Sequence, residues 1–85
     1  MTLMRSLAEL IEARLAGRAG SVSVTETTPL IEGGLIDSIA LAEIVAHIEE
    51  QTGIRVPDDE VTPDNFASVA TINAMVSRLE AQRQR

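Results

Sequence analysis

The chain has 85 residues, 45% of them hydrophobic and 24% charged, and contains no cysteine. That length leaves room for one small domain, 1–85; the apolar content excludes a disordered tail, and the missing cysteines exclude a disulfide, a thiolate nucleophile and a thiolate metal site. Thirteen acids against seven bases, every one of them Arg, give a net charge of −6, which argues against nucleic acid, whose phosphates call for a positive surface.

No apolar run approaches the ~20 residues of a membrane-spanning helix. The first ten residues carry Arg5 and Glu9 but no signal-peptide core, so the cytoplasm is the expected compartment. Phe66 is the single aromatic residue, leaving a core of Leu, Ile, Val, Ala and Met, which favours helices.

In chain order, Leu3, Leu7, Leu10, Ile11 and Leu15 form one apolar stripe at helical period, predicting a first helix over 3–16 ended by Gly17 and Gly20. From 18 to 36 no period is sustained, and Thr, Ser, Pro29 and the pair Gly33-Gly34 mark a loop. A connection this long in a small domain is usually functional. Asp37 is a good N-cap, and Leu41, Ile44, Val45 and Ile48 then follow the helical pattern until Gly53, predicting a second helix over 38–52. Thr62-Pro63 opens a short third helix reaching Ala67. Ser68 caps a fourth, over 69–82, with Val69, Ile72, Met75, Val76 and Leu79 as its stripe. Three longer helices and one short one, with a long first connection, describe an all-α four-helix bundle.

The acidity is regional. Residues 26–64 hold ten acids against Arg55 alone, a net of −9, whereas 1–25 and 65–85 carry +1 and +2. Such a run is either a solvated face that aids solubility or a docking surface for basic partners. A hydrolytic site needs a nucleophile, a base and a group that orients the base. With no Lys, Tyr or Cys, and with His47 as the one His, on the polar side of the second helix, the chain offers no catalytic residues. Asp58-Asp59-Glu60 lacks the glycine and alternating oxygens of a calcium loop, so no metal site is expected.

On the second helix, Ile39, Ala42 and Ala46 fall within about 60° of one another, away from the apolar stripe. Glu43, Glu49 and Glu50 border them. This strip is either a set of isolated exposed residues or a face that docks into a partner. Ser38 stands at the first turn, where free N–H groups and the positive helix end favour a bound or attached phosphate. Equally, Asp37 and Ser38 could serve as capping residues alone.

Gly33-Gly34-Leu35-Ile36-Asp37-Ser38-Ile39, with Gly53-Ile54-Arg55-Val56-Pro57 fifteen residues after the Ser, resembles the acyl and peptidyl carrier protein family over nearly the whole chain. The resemblance implies a four-helix bundle whose Ser38 receives 4′-phosphopantetheine from coenzyme A through a separate phosphopantetheinyl transferase, with Asp37 as the adjacent motif residue. The arm's thiol then carries an acyl or aminoacyl group as a thioester, so the chain itself is not an enzyme. It further implies that residues 38–52 are the recognition helix, with Ile39, Glu43, Ala46, Glu49 and Glu50 on partner-contact positions. The partners implied are a loading enzyme, adenylating or acyltransferring, and downstream synthases, transferases or tailoring enzymes. Fatty-acid carriers usually have Asp-Ser-Leu-Asp, whereas Ala40 follows Ile39 here, and Ala46 replaces a larger apolar residue. Residues 56–66 look closer to free-standing carriers loaded by a discrete adenylating enzyme, which suggests a specialised biosynthetic pathway. The alternatives are a carrier for fatty-acid synthesis, a D-alanyl carrier and, in another class, a helical interaction module without cofactor.

Overall fold

The computed structural model describes residues 3–19 and 23–83, with the backbone alone for 16–19. Its helices are α1 (Leu3–Ala19), α2 (Ser38–Thr52) and α3 (Val69–Arg83), with a 3-10 turn at Asp58–Glu60. No strand occurs among the described residues. The all-helical architecture is the expected one, and the short helix anticipated at 62–67 is a single helical turn. There the Phe66 N–H donates to the Thr62 carbonyl at 3.1 Å and the Asn65 N–H to Thr62 Oγ1 at 3.2 Å. Phe66, fully buried, plugs the core from this turn, and too few residues separate it from the next cap to propagate a helix.

α1 runs through Gly17, where the sequence predicted its end. One glycine inside a helix costs about 1 kcal/mol relative to Ala but does not break it, and Ala16, Arg18 and Ala19 around it are good helix formers. Gly20, the other expected stop, lies outside the described residues. α2 has the predicted bounds because both ends are chemically marked. The Asp37 carboxylate accepts from the Ala40 N–H at 2.8 Å, and Gly53 closes the helix at φ 70° with its N–H on the Glu49 carbonyl. α3 opens with a reciprocal cap in which Thr71 N–H donates to Ser68 Oγ and Ser68 N–H donates to Thr71 Oγ1.

One apolar core joins Leu7, Ile11 and Leu15 of α1 to Ile44 and Ile48 of α2 and to Ile72, Met75, Val76 and Leu79 of α3. α1 is the common neighbour, packing against both other helices. It runs antiparallel to α2, since Ser6 meets His47 and, two turns on, Arg14 meets Glu43. The buried face of α2 is Ala40, Ile44 and Ile48; Leu41 and Val45, expected at its centre, are half-buried.

That rotation corrects the reading of His47 as a surface residue. At 100° per residue it stands about 60° from the centre of the observed buried face, so α1 covers it: its ring is half-buried, with Nε2 2.9 Å from Ser6 Oγ.

The first connection has no regular secondary structure over 23–37, yet it is firmly attached. Val24 and Leu30 are core residues, and the Val24 N–H donates to the Glu12 carboxylate at 2.6 Å. Leu30 N–H bonds the Ala67 carbonyl at 2.8 Å, and Ala70 N–H bonds the Glu26 carbonyl at 2.9 Å, tying the loop to the start of α3. No described helix is long and apolar enough to cross a membrane.

Candidate functional site around Ser38

Ser38 is the first residue of α2 and is exposed. Two features deliver it there. Upstream, Leu35 N–H returns to the Leu30 carbonyl at 2.9 Å, closing a turn through Gly33 and Gly34. A Cβ on Gly33 would stand 2.5 Å from the Pro29 carbonyl oxygen, so only glycine lets the chain pass that close. Downstream, Asp37 spends its carboxylate on the Ala40 amide and its carbonyl on the Leu41 amide at 2.8 Å. The amides of Ser38 and Ile39 lie at the open end of the helix, beside the serine hydroxyl, where the peptide dipoles favour an anion.

Beside Ser38 runs a groove of about 310 Å³ lined by Leu41, Ala42, Val45, Val56, Asp58 and Val61. It continues into a second depression of about 510 Å³ that shares Val45, Val56 and Asp58 and reaches Gly53. Together they form a trough between α2 and the segment 53–61. That segment is a fixed wall, not a free loop: Val56 N–H donates to Glu49 Oε2 at 3.0 Å, and Arg83 Nη1 donates to the Gly53 carbonyl at 3.1 Å. Glu60 receives both Nη atoms of Arg78 at 2.9 Å and the Asn65 amide at 3.0 Å. The Arg78 hydrogen bonds hold the Glu60 carboxyl below the usual carboxylate range; burial pushes the other way, while the charge of Arg78 and the Asn65 amide lower it further.

The expected contact residues divide into two groups. Ile39 is 66% exposed, and Ala42, Ala46 and Glu50 are exposed beside it. Glu43 and Glu49 are engaged within the chain, the first in an ion pair with Arg14 at 2.5 Å and the second on Val56. Ala40, where fatty-acid carriers bear Asp, is buried, a position in which an unpaired carboxylate would be costly. The sequence did not signal the attachments of Glu49 and Glu60, because their partners are seven and eighteen residues away and depend on how the chain folds back. Among the described residues, no cluster of His, Asp and Glu has the arrangement of a metal site.

The sequence matches the model of the family described as phosphopantetheine attachment site over residues 5–79. The chain belongs to that family. Its members are carriers with a covalently attached 4′-phosphopantetheine, and the chemistry on their cargo is performed by other proteins. Two relatives are carriers by name. The probable acyl carrier protein PigG of Serratia sp. is 35% identical over 54 residues, 64% of this chain and 62% of that protein; the chain thus spans less than two thirds of that relative's length. Aminoacyl carrier protein 1 of Bradyrhizobium diazoefficiens is 31% identical over 80% of this chain and 74% of its own.

Solved structures similar to this carrier include the Bradyrhizobium japonicum glycine:[carrier protein] ligase complexed with its cognate carrier protein and an analogue of glycyl adenylate. That match has a TM-score of 0.69 at 28% identity and covers 89% of this chain and 96% of the other. A chain in the crystal structure of an FAD-dependent dehydrogenase gives a TM-score of 0.71 at 33% identity, over 82% of this chain and 97% of that one.

The residues around Ser38 fit the cofactor of the family. A phosphodiester on this hydroxyl would leave one negative charge next to the first amides of α2. The groove that starts at Ser38 offers an apolar surface beside that hydroxyl.

Proposed function

We propose that Ser38 is the attachment residue and that the chain acts as one free-standing carrier domain of a specialised biosynthetic pathway, in the cytoplasm. The observation that carries this reading is the exposed hydroxyl at the open end of α2, presented by a turn fixed on both sides, in a chain of the phosphopantetheine family.

In the modification, Ser38 Oγ bonds the phosphorus that bears the pantetheine of coenzyme A, the pyrophosphate P–O bond breaks, adenosine 3′,5′-bisphosphate leaves, and the serine proton passes to a base on the transferase. Bound there, the arm supplies a thiol that carries cargo as a thioester. The chain's own part is positional. Asp37 fixes the first turn of α2, the helix amides offset the phosphodiester charge, and Ile39, Ala46 and Glu50 form the exposed strip on which partner enzymes settle. Glu43 joins that strip when it leaves Arg14.

An amino acid or short acyl group is the cargo we favour, loaded by a discrete adenylating ligase. The support is the aminoacyl carrier relative and the likeness to a carrier bound to a glycine ligase.

Incubation with coenzyme A and a broad-specificity phosphopantetheinyl transferase, followed by intact mass and peptide mapping, tests the site. One phosphopantetheine on Ser38, and none in Ser38→Ala, is the expected result. Addition elsewhere in that variant overturns the assignment, and no addition to the folded wild type leaves a helical interaction module without cofactor as the better reading. Offering the holo chain to adenylating ligases with amino acids or with fatty acids then decides the cargo class.

A further inference from the structure

Among the described residues, the large apolar side chains left exposed are Ile39, on α2, and Ile31, which is 38% exposed in the first connection. Ile31 belongs to a groove of about 240 Å³ that it forms with Pro29, Glu32, Pro63, Asp64 and Ala67. This groove lies apart from the trough along α2 and shares no lining residue with it.

Its exposure is not the slack of a loose loop. Leu30, next in the chain, is fully buried and bonds Ala67 through its N–H and Leu35 through its carbonyl. Ile31 itself accepts from the Gly34 N–H at 3.0 Å. The turn thus holds an isoleucine outward between two anchors. Glu32 and Asp64, at the rim, are exposed and engage no described residue. Glu43, Glu49 and Glu60 differ, each being occupied by a group of the chain.

The chemistry at Ser38 indicates what covers this groove. An enzyme that transfers phosphopantetheine to the hydroxyl must bring the donor phosphorus within bonding distance of Oγ, unlike enzymes that act at the end of an arm. Its donor, coenzyme A, is a polyanion, so the enzyme surface around the reacting atoms is cationic and complements an acidic rim. Glu32 lies six positions before Ser38, a span of at most ~21 Å. Both therefore fall within an interface of ordinary size, roughly 800 Å² on each partner.

We propose that the Ile31 groove, with Glu32 and Asp64 at its rim, is a second contact surface for the phosphopantetheinyl transferase, receiving an apolar side chain flanked by cations. The proposal rests on Ser38 being the attachment residue, and it adds a surface outside α2 to that reading.

The test uses the apo form of the full chain with coenzyme A and the broad-specificity transferase, reading kcat and KM for Ile31→Ser, for the double variant Glu32→Lys/Asp64→Lys and for Glu80→Lys, a distant exposed acid. Circular dichroism accompanies each. The expected result is a KM raised roughly tenfold in the first two with kcat retained, a weaker salt dependence in the double variant, and little change for Glu80→Lys. KM values equal to wild type in both groove variants overturn the proposal, as does an equal rise in Glu80→Lys, which would mark net charge and not place. If Ile31→Ser loses helicity, the double variant decides alone. Failure of the transferase to modify wild-type Ser38 would instead overturn the attachment reading, and this one with it.

Discussion

Ser38 and Glu49 stand at opposite ends of what a sequence tells about a residue. The serine's place follows from neighbours in the chain: an N-cap before it, a glycine turn further back and a helical stripe after it, all within a few positions. Glu49 has the same surface spacing as Glu50 on a helical wheel, yet its carboxylate closes on the Val56 amide. Nothing local announces that, because the bond exists only after the chain has turned at Gly53. The Val56 side chain is buried, and an amide deprived of its acceptor there costs about 1–3 kcal/mol. Glu49→Ala should therefore lower the thermal midpoint, while Glu49→Gln, which keeps a carbonyl acceptor, should hold it near wild type. Equal midpoints for the two variants in a thermal melt would show that the bond contributes nothing. Partner loading tells the same pair apart in the other direction, since a docking role needs the charge that Gln lacks.

Among the elements, α2 was legible to the residue and the first connection was not. Local chemistry at both ends sets α2, whereas α1 overran its predicted end because propensity on either side of Gly17 outweighs one glycine. The buried face of α2 was displaced in the wheel reading, since Ala40 looks neutral in sequence and is buried in the fold. The stretch from 23 to 37 shows no period, and its order comes from bonds to α1, to Ala67 and to α3 that no spacing encodes. Within it Gly33 has a definite role. Gly33→Ala would bring a methyl to 2.5 Å from the Pro29 oxygen and force the turn before Ser38 to shift, a cost on the order of 1–3 kcal/mol. We expect a lower melting temperature together with slower phosphopantetheine transfer, and an unchanged value of either would mean that the turn yields without disturbing the serine.

For the molecule as a whole, acidity is concentrated between 26 and 64, and part of it serves the fold. Glu60 ties the 3-10 turn to α3 through Arg78 and carries a lowered pKa. A carboxyl depressed in the folded state lends stability above its unfolded value, and that contribution is lost as pH falls through the depressed one. The chain should accordingly lose stability on acidification below the usual carboxylate range, and Glu60→Gln should flatten that part of the curve. Denaturation followed at several pH values measures the difference, and superimposable curves for the two proteins would remove Glu60 from the account.

On the proposed docking face of α2, the ion pair between Arg14 and Glu43 would give the carrier an internal rival for its visitors. An enzyme that reaches for Glu43 with a guanidinium must first displace the one already there, and when it withdraws Arg14 reclaims the carboxylate at once. Exchange of one cation for another changes the free energy little, so this contact contributes almost nothing to holding a partner and lowers the barrier to its departure. For the shuttle proposed above, visiting several enzymes in turn, brief visits set the throughput. Arg14→Ala should lengthen the dwell time of a loading enzyme on the holo chain, as read by surface plasmon resonance, and an unaltered dissociation rate would show that Glu43 takes no part in the encounter.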